Sequence, residues 1–127
     1  MVLSPKLLAY AAGAHAELDL SPERMVVLTK LATEIAQRSL TPPLNLNFVC
    51  THNSRRSHLA AVAAATAASY HNLSNVCTFS SGTDATAVYP SAVDALRSAG
   101  FGVIIEHQSH ADHRGGEGSD GTAGVEP

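Results

Sequence analysis

Residues 44–70 read LNLNFVCTHNSRRSHLAAVAAATAASY, and three textures follow one another within them. Leu44, Leu46 and Phe48 alternate with Asn45, Asn47 and Val49, the period-two pattern of a strand. A polar loop comes next. From Ser57 to about Tyr70 the chain becomes a strong helix former, with seven Ala between positions 60 and 68. Such small side chains let a helix lie close on a sheet.

The same alternation continues outward toward the C-terminus. Val76 to Ser80 reads as a second short strand, and Ser80-Ser81-Gly82-Thr83 is turn material. Pro90 opens a helix that runs to Ser98, Gly100 stops it, and Phe101 to Ile105 is a third strand. Strands separated by single helices indicate an α/β fold with a parallel sheet and right-handed crossovers. The expected core therefore spans residues 44–106 as a three-layer αβα arrangement on a short parallel sheet. Cys77, on the second strand, is expected to be buried as a small hydrophobe. His58 and His71, on the Ala-rich helix, are expected at the surface.

Residues 1–43 read as a helical N-terminal extension. Ser21 suits an N-cap, Pro22 the first helical position, and Glu23 the positive helix end. Met25, Leu28, Leu31, Ala32 and Ile35 then recur at helical spacing, with Arg24, Lys30, Glu34 and Arg38 on other faces. This helix is expected to pack on the sheet or to form an oligomer interface, and to end before Pro42-Pro43. Its charges are mixed in sign, which argues against an anionic lipid surface. A shorter helix is expected over residues 3–17. Residues 107–127 hold five of the nine Gly and almost nothing to bury, and are expected to form a flexible tail. His107, His110 and His113 near Asp112 are expected to be solvated, and no metal or cofactor is expected.

Composition bounds the function classes. With 127 residues the chain is one domain. Apolar residues make up 45%, which excludes wholesale disorder. A net charge of −3 does not favour nucleic acid. No apolar run approaches the roughly 20 residues needed to span a bilayer, and the early apolar stretches are broken by His15, Glu17 and Asp19, a poor signal peptide. A soluble, cytoplasmic protein without membrane partners is expected. Two cysteines, Cys50 and Cys77, make neither a disulfide framework nor a zinc site built on sulfur alone.

The loop after the first strand carries the chemistry. In open α/β sheets ligands bind beyond the carboxyl ends of strands, where loops lead into helix N-termini whose free N–H groups and dipole favour anions. Cys50 opens this loop, and its thiol pKa should fall below the usual ~8.5. Arg56 can fold back over the loop, and its planar fork suits two oxygens of a tetrahedral oxyanion. The residues by themselves thus predict a thiolate nucleophile in an oxyanion cradle with a guanidinium clamp.

Cys50, Asn53, Arg56 and Ser57 fill the pattern C-x-x-N-x-x-R-S. Further on, Ser80-Ser81-Gly82-Thr83, then Pro90-Ser91-Ala92-Val93-Asp94-Ala95-Leu96, then Gly100 fit S-x-G-T, P-x-A-x-x-x-L and G. Both stretches resemble the low-molecular-weight protein tyrosine phosphatases and the related thioredoxin-coupled arsenate reductases, over about residues 44–105. The resemblance implies phosphomonoester hydrolysis of phosphotyrosine or a small aryl phosphate, through a cysteinyl-phosphate on Cys50. It implies that the backbone amides from Thr51 through His52, Asn53, Ser54 and Arg55 to Arg56, with the Arg56 side chain, hold the non-bridging oxygens. It implies that Ser57 supports the Cys50 thiolate, that Asn53 keeps the loop in shape, and that His52 and Arg55 flank the mouth.

The chain also departs from that family. The family's general acid is the Asp of an Asp-Pro loop, and this chain has no Asp-Pro. The resemblance therefore implies a domain shortened on its C-terminal side, with Asp112 and Asp120 as the acids to consider and solvated charge as their plain reading. Arg55 stands where several tyrosine phosphatases have a second cysteine. Arsenate reduction needs relay cysteines, for which only Cys77 remains. Two alternatives thus stand beside the phosphatase: an arsenate reductase, and an inactive oxyanion-binding or interaction module that kept the cradle and lost the acid.

Overall fold

The computed structural model describes residues 2–38, 43–84, 86–107 and 121–126. Its elements in chain order are α1 (Pro5–Ala16), α2 (Pro22–Arg38), β1 (Leu44–Cys50), α3 (Arg56–Tyr70), β2 (Val76–Gly82), α4 (Pro90–Ala99), β3 (Gly102–His107) and β4 (Gly121–Glu126). Local signals account for most of these bounds. The Ser4 hydroxyl accepts from Leu7 N–H and caps α1, and the Ser21 hydroxyl accepts from Arg24 N–H at the start of α2. Gly100 ends α4 in the left-handed conformation, φ 109°, and returns its N–H to the carbonyls of Leu96 and Arg97.

β1 and β2 pair in parallel from Leu44 opposite Val76 to Cys50 opposite Gly82. α3 crosses between them and packs on one face. That face carries Leu44, Leu46, Phe48 and Cys50 from β1 and Val76, Thr78 and Ser80 from β2, all buried or half-buried. The chain is therefore α/β with a short parallel sheet. The opposite face, with Asn45, Asn47, Val49, Cys77 and Phe79, is exposed. Cys77 is thus a solvent-facing thiol and not the buried hydrophobe expected, because strand alternation turns it away from α3.

The third strand departs from expectation. β3 does not extend the β1–β2 sheet; it pairs antiparallel with β4 in a second two-stranded sheet, Gly102 opposite Glu126 and His107 opposite Gly121. The tail reading of 107–127 accordingly does not hold for residues 121–126. These are paired through backbone hydrogen bonds, which need no apolar side chain.

The core sits among helices. Leu3, Leu7, Leu96 and Phe101 form the buried cluster, with Val62, Tyr70, Ala99 and Val103 packed against it. Leu7 of α1 is fully buried, at 0% exposure. α1 is therefore an integral part of the α3–α4 core and not an appended extension. α2 behaves oppositely. None of its residues is buried, and Met25, Leu28 and Leu31 are exposed, so it does not pack on the sheet as one expectation had it. No helix among the described residues is long and apolar enough to cross a membrane.

Candidate active site

The site is the loop from Thr51 to Arg55, between the end of β1 and the first turn of α3. Two features of the local sequence shape it. Asn53 takes φ 45°, a left-handed conformation that Asn tolerates better than most residues. The N-cap position of α3 is Arg55, and no side chain caps the helix. Ser57 is not the N-cap; it lies inside the first turn, buried, and turns its hydroxyl to the cysteine. With no side-chain cap, the first-turn N–H groups and the helix dipole stay available to an anion.

The Cys50 sulfur lies 3.0 Å from the Ser57 hydroxyl oxygen, and that hydroxyl lies 2.7 Å from Asn53 Oδ1. The hydroxyl has one proton and two acceptors to choose between. A thiolate is the stronger acceptor of the two. The Cys50 thiol pKa is lowered from 9.0 to about 7, mainly by the Ser57 hydroxyl, then by the Ser57 amide, with smaller help from the amides of Asn53 and Ser54 against a desolvation cost. Cys50, Thr51, Arg56 and Ser57 share an open hollow of about 380 Å³ with Phe48 and Ala60. The loop has thus gathered a thiol of lowered pKa, the amides that support its anion and an exposed arginine at one place.

The loop after β2 buttresses this arrangement. The Thr51 carbonyl accepts from Thr83 N–H at 2.9 Å, Asp84 N–H at 2.8 Å and the Thr83 hydroxyl at 3.2 Å. The His52 carbonyl accepts from the Thr86 hydroxyl, and the Ser54 carbonyl from Tyr89 N–H at 2.9 Å. Gly82 lies so close that a Cβ on it would stand 2.6 Å from the Asn53 nitrogen and 2.9 Å from the Thr51 oxygen. The Ser-Ser-Gly-Thr stretch is therefore more than turn material: its glycine admits the loop and its threonine holds it.

At the rim, His52 Nδ1 lies 3.6 Å from Asp84 Oδ2. The Arg55 guanidinium lies over the Tyr89 ring, 4.7 Å from its centroid, which separates its task from that of Arg56. Below the loop, His58 is buried against Ser80, with Nδ1 3.0 Å from the hydroxyl. This corrects the surface placement expected for it. Burial lowers its pKa, against an opposing contribution from the Asn53 carbonyl. A histidine on an Ala-rich helix gave no sequence signal of facing inward, and neither did the pairings of Asp84 and Tyr89.

The two cysteines lie far apart. Gly82, not Cys77, stands opposite Cys50. At about 3.3 Å per residue, Cys77 is roughly 16 Å further along β2, well beyond disulfide reach. Asp112 and Asp120, the acids suggested by the sequence, lie outside the described residues. No protein-family model, curated protein or solved structure matches the chain.

Proposed function

We propose that the chain hydrolyses phosphomonoesters, aryl phosphates or phosphotyrosine, through a cysteinyl-phosphate on Cys50. The observation that carries this reading is the sulfur held by the Ser57 hydroxyl and the amides of Asn53, Ser54 and Ser57, with a pKa of about 7. Such a thiol is about half ionised near neutrality, and the thiolate is the attacking form. The thiolate attacks phosphorus in line, while the loop amides and the Arg56 guanidinium take up charge on the three non-bridging oxygens. The resemblance to the low-molecular-weight phosphatases supports the same assignment and the three-layer fold. The separation of Cys50 from Cys77 weighs against an arsenate reductase that relays a disulfide between them.

The test uses an aryl phosphate whose leaving group needs no protonation, 2,4-dinitrophenyl phosphate. Mixing it with the protein should release a burst of dinitrophenolate stoichiometric with protein, and Cys50→Ser should abolish the burst. Phosphate binding without any release of dinitrophenolate would instead identify an inactive oxyanion-binding module and sink the hydrolytic reading.

A further inference from the structure

Resting on the hydrolytic reading of Cys50, we propose that His52, oriented by Asp84, is the general acid that protonates the leaving group. In an in-line displacement the leaving oxygen departs on the side of phosphorus away from the sulfur. Its proton must therefore come from the mouth of the cradle and not from its floor. Among the described residues, the ionisable side chains around the cradle leave few choices. Arg55 and Arg56 do not give up a proton. The Tyr89 ring is covered by the Arg55 guanidinium. His58 is buried beneath the loop against Ser80. His52 and Asp84 remain, and their side chains are 59% and 60% exposed at the rim.

The backbones that carry the pair are held in place. Asp84 N–H and the Thr83 N–H both donate to the Thr51 carbonyl, while the Thr86 hydroxyl donates to the His52 carbonyl. Each partner is thus fastened through its own loop to the peptide units beside the nucleophile. Asp84 Oδ2 faces His52 Nδ1 at 3.6 Å, which leaves Nε2 to point elsewhere. A carboxylate behind one ring nitrogen and a reacting atom before the other is the general arrangement of an oriented acid–base histidine. Two peptide steps separate the Cα atoms of Cys50 and His52, at most about 7–8 Å. The proposal places the imidazole within reach of the leaving oxygen over that span.

The proton bookkeeping closes. In the first half-reaction a bond forms from the Cys50 thiolate sulfur to phosphorus, and the bond from phosphorus to the leaving oxygen breaks. The electron pair goes to that oxygen, which takes the proton from imidazolium Nε2 and departs as a neutral phenol. In the second, neutral His52 takes a proton from water as the water oxygen bonds to phosphorus. The sulfur–phosphorus bond breaks, which restores the thiolate, releases hydrogen phosphate and leaves His52 protonated again.

The experiment compares kcat/KM for phenyl phosphate and 2,4-dinitrophenyl phosphate in the full chain, its His52→Gln variant and its Asp84→Asn variant. Only the first substrate needs a proton on its leaving oxygen. His52→Gln should lose about 10²–10⁴-fold on phenyl phosphate and less than about threefold on the dinitrophenyl ester. Asp84→Asn, which removes a positioning residue, should show the same selectivity with a smaller loss. The dinitrophenyl ester reports whether the fold and cradle survive each substitution. Equal losses on both substrates, or no loss on phenyl phosphate, would overturn the assignment of His52, and an Asp84→Asn variant that behaves as wild type would overturn that of Asp84. Failure of the wild-type chain to release dinitrophenolate overturns the hydrolytic reading itself, and is visible before either variant is made.

Discussion

At Cys50 the chemistry depends on how many donors reach one sulfur. The Ser57 hydroxyl contributes most to the lowered pKa, and the amides of Ser57, Asn53 and Ser54 add to it. All are fixed by the backbone path of a short loop, so they cost little to orient when the thiolate forms. Ser57→Ala removes the largest contribution and should move the Cys50 pKa up from about 7 toward 9.0. The sign is that of an acid losing support for its anion: a higher pH is needed for the same thiolate fraction. Alkylation at neutral pH should slow by roughly tenfold for each unit the pKa climbs. The pH dependence of iodoacetamide labelling at Cys50, followed by peptide mass, checks this. An unmoved midpoint would mean that the hydroxyl is not a donor to the sulfur. Cys50, Asn53, Arg56 and Ser57 were legible in the sequence because their spacing is local. The burial of His58 was not, because which side of α3 meets the sheet is decided by neighbours far along the chain.

Among the elements, the end of β2 shapes the site as much as the loop that follows Cys50. Gly82 stands opposite Cys50 in the ladder, and its missing side chain is the space that the Thr51–Asn53 backbone occupies. Gly82→Ala would place a carbon 2.6 Å from the Asn53 nitrogen, an atom that cannot swing aside as a side-chain tip can. The loop must move, and Thr83 must loosen its hold on Thr51. The expected result is a stability loss of about 1–3 kcal/mol together with weakened phosphate binding. Urea unfolding with and without phosphate measures both, and wild-type values for both would show that the contact is not tight. The bounds of β1, α3, β2 and α4 follow from the sequence within one or two residues, because caps, Pro and Gly act locally. The partner of β3 does not. An alternating pattern marks a strand but carries no record of its neighbour, and β4 arises in a stretch with only Val125 as a bulky aliphatic.

For the molecule as a whole, the two N-terminal helices reverse the ranking their sequences suggest. α2 has the better amphipathic pattern, yet Met25, Leu28 and Leu31 remain exposed. α1 has the weaker pattern, with Gly13 inside it, yet supplies Leu7, the most fully buried large side chain among the described residues. The buried cluster is small, so each member matters. Leu7→Ala should cost about 2–5 kcal/mol, a large part of the 5–15 kcal/mol typical of a domain. A chemical denaturation midpoint checks it. A Leu28→Ala variant in α2 is the matched control and should change stability by less than about 0.5 kcal/mol, as exposed sites do. Equal effects of the two would contradict the placement of α1 in the core.

The sequence by itself determined the order and type of the elements from α1 to β3, and the identity of the loop that holds Cys50, Arg56 and Ser57. It could do so because periodicity, capping and spacing are properties of neighbouring residues. Only the tertiary structure decided which helix completes the core, that β3 leaves the parallel sheet, and that the loop after β2 brings Thr83, Asp84, Thr86 and Tyr89 against the loop after Cys50. Those outcomes depend on which distant surfaces meet. A contact between residues some thirty positions apart is set by the packing of everything between them, not by any pattern either residue carries.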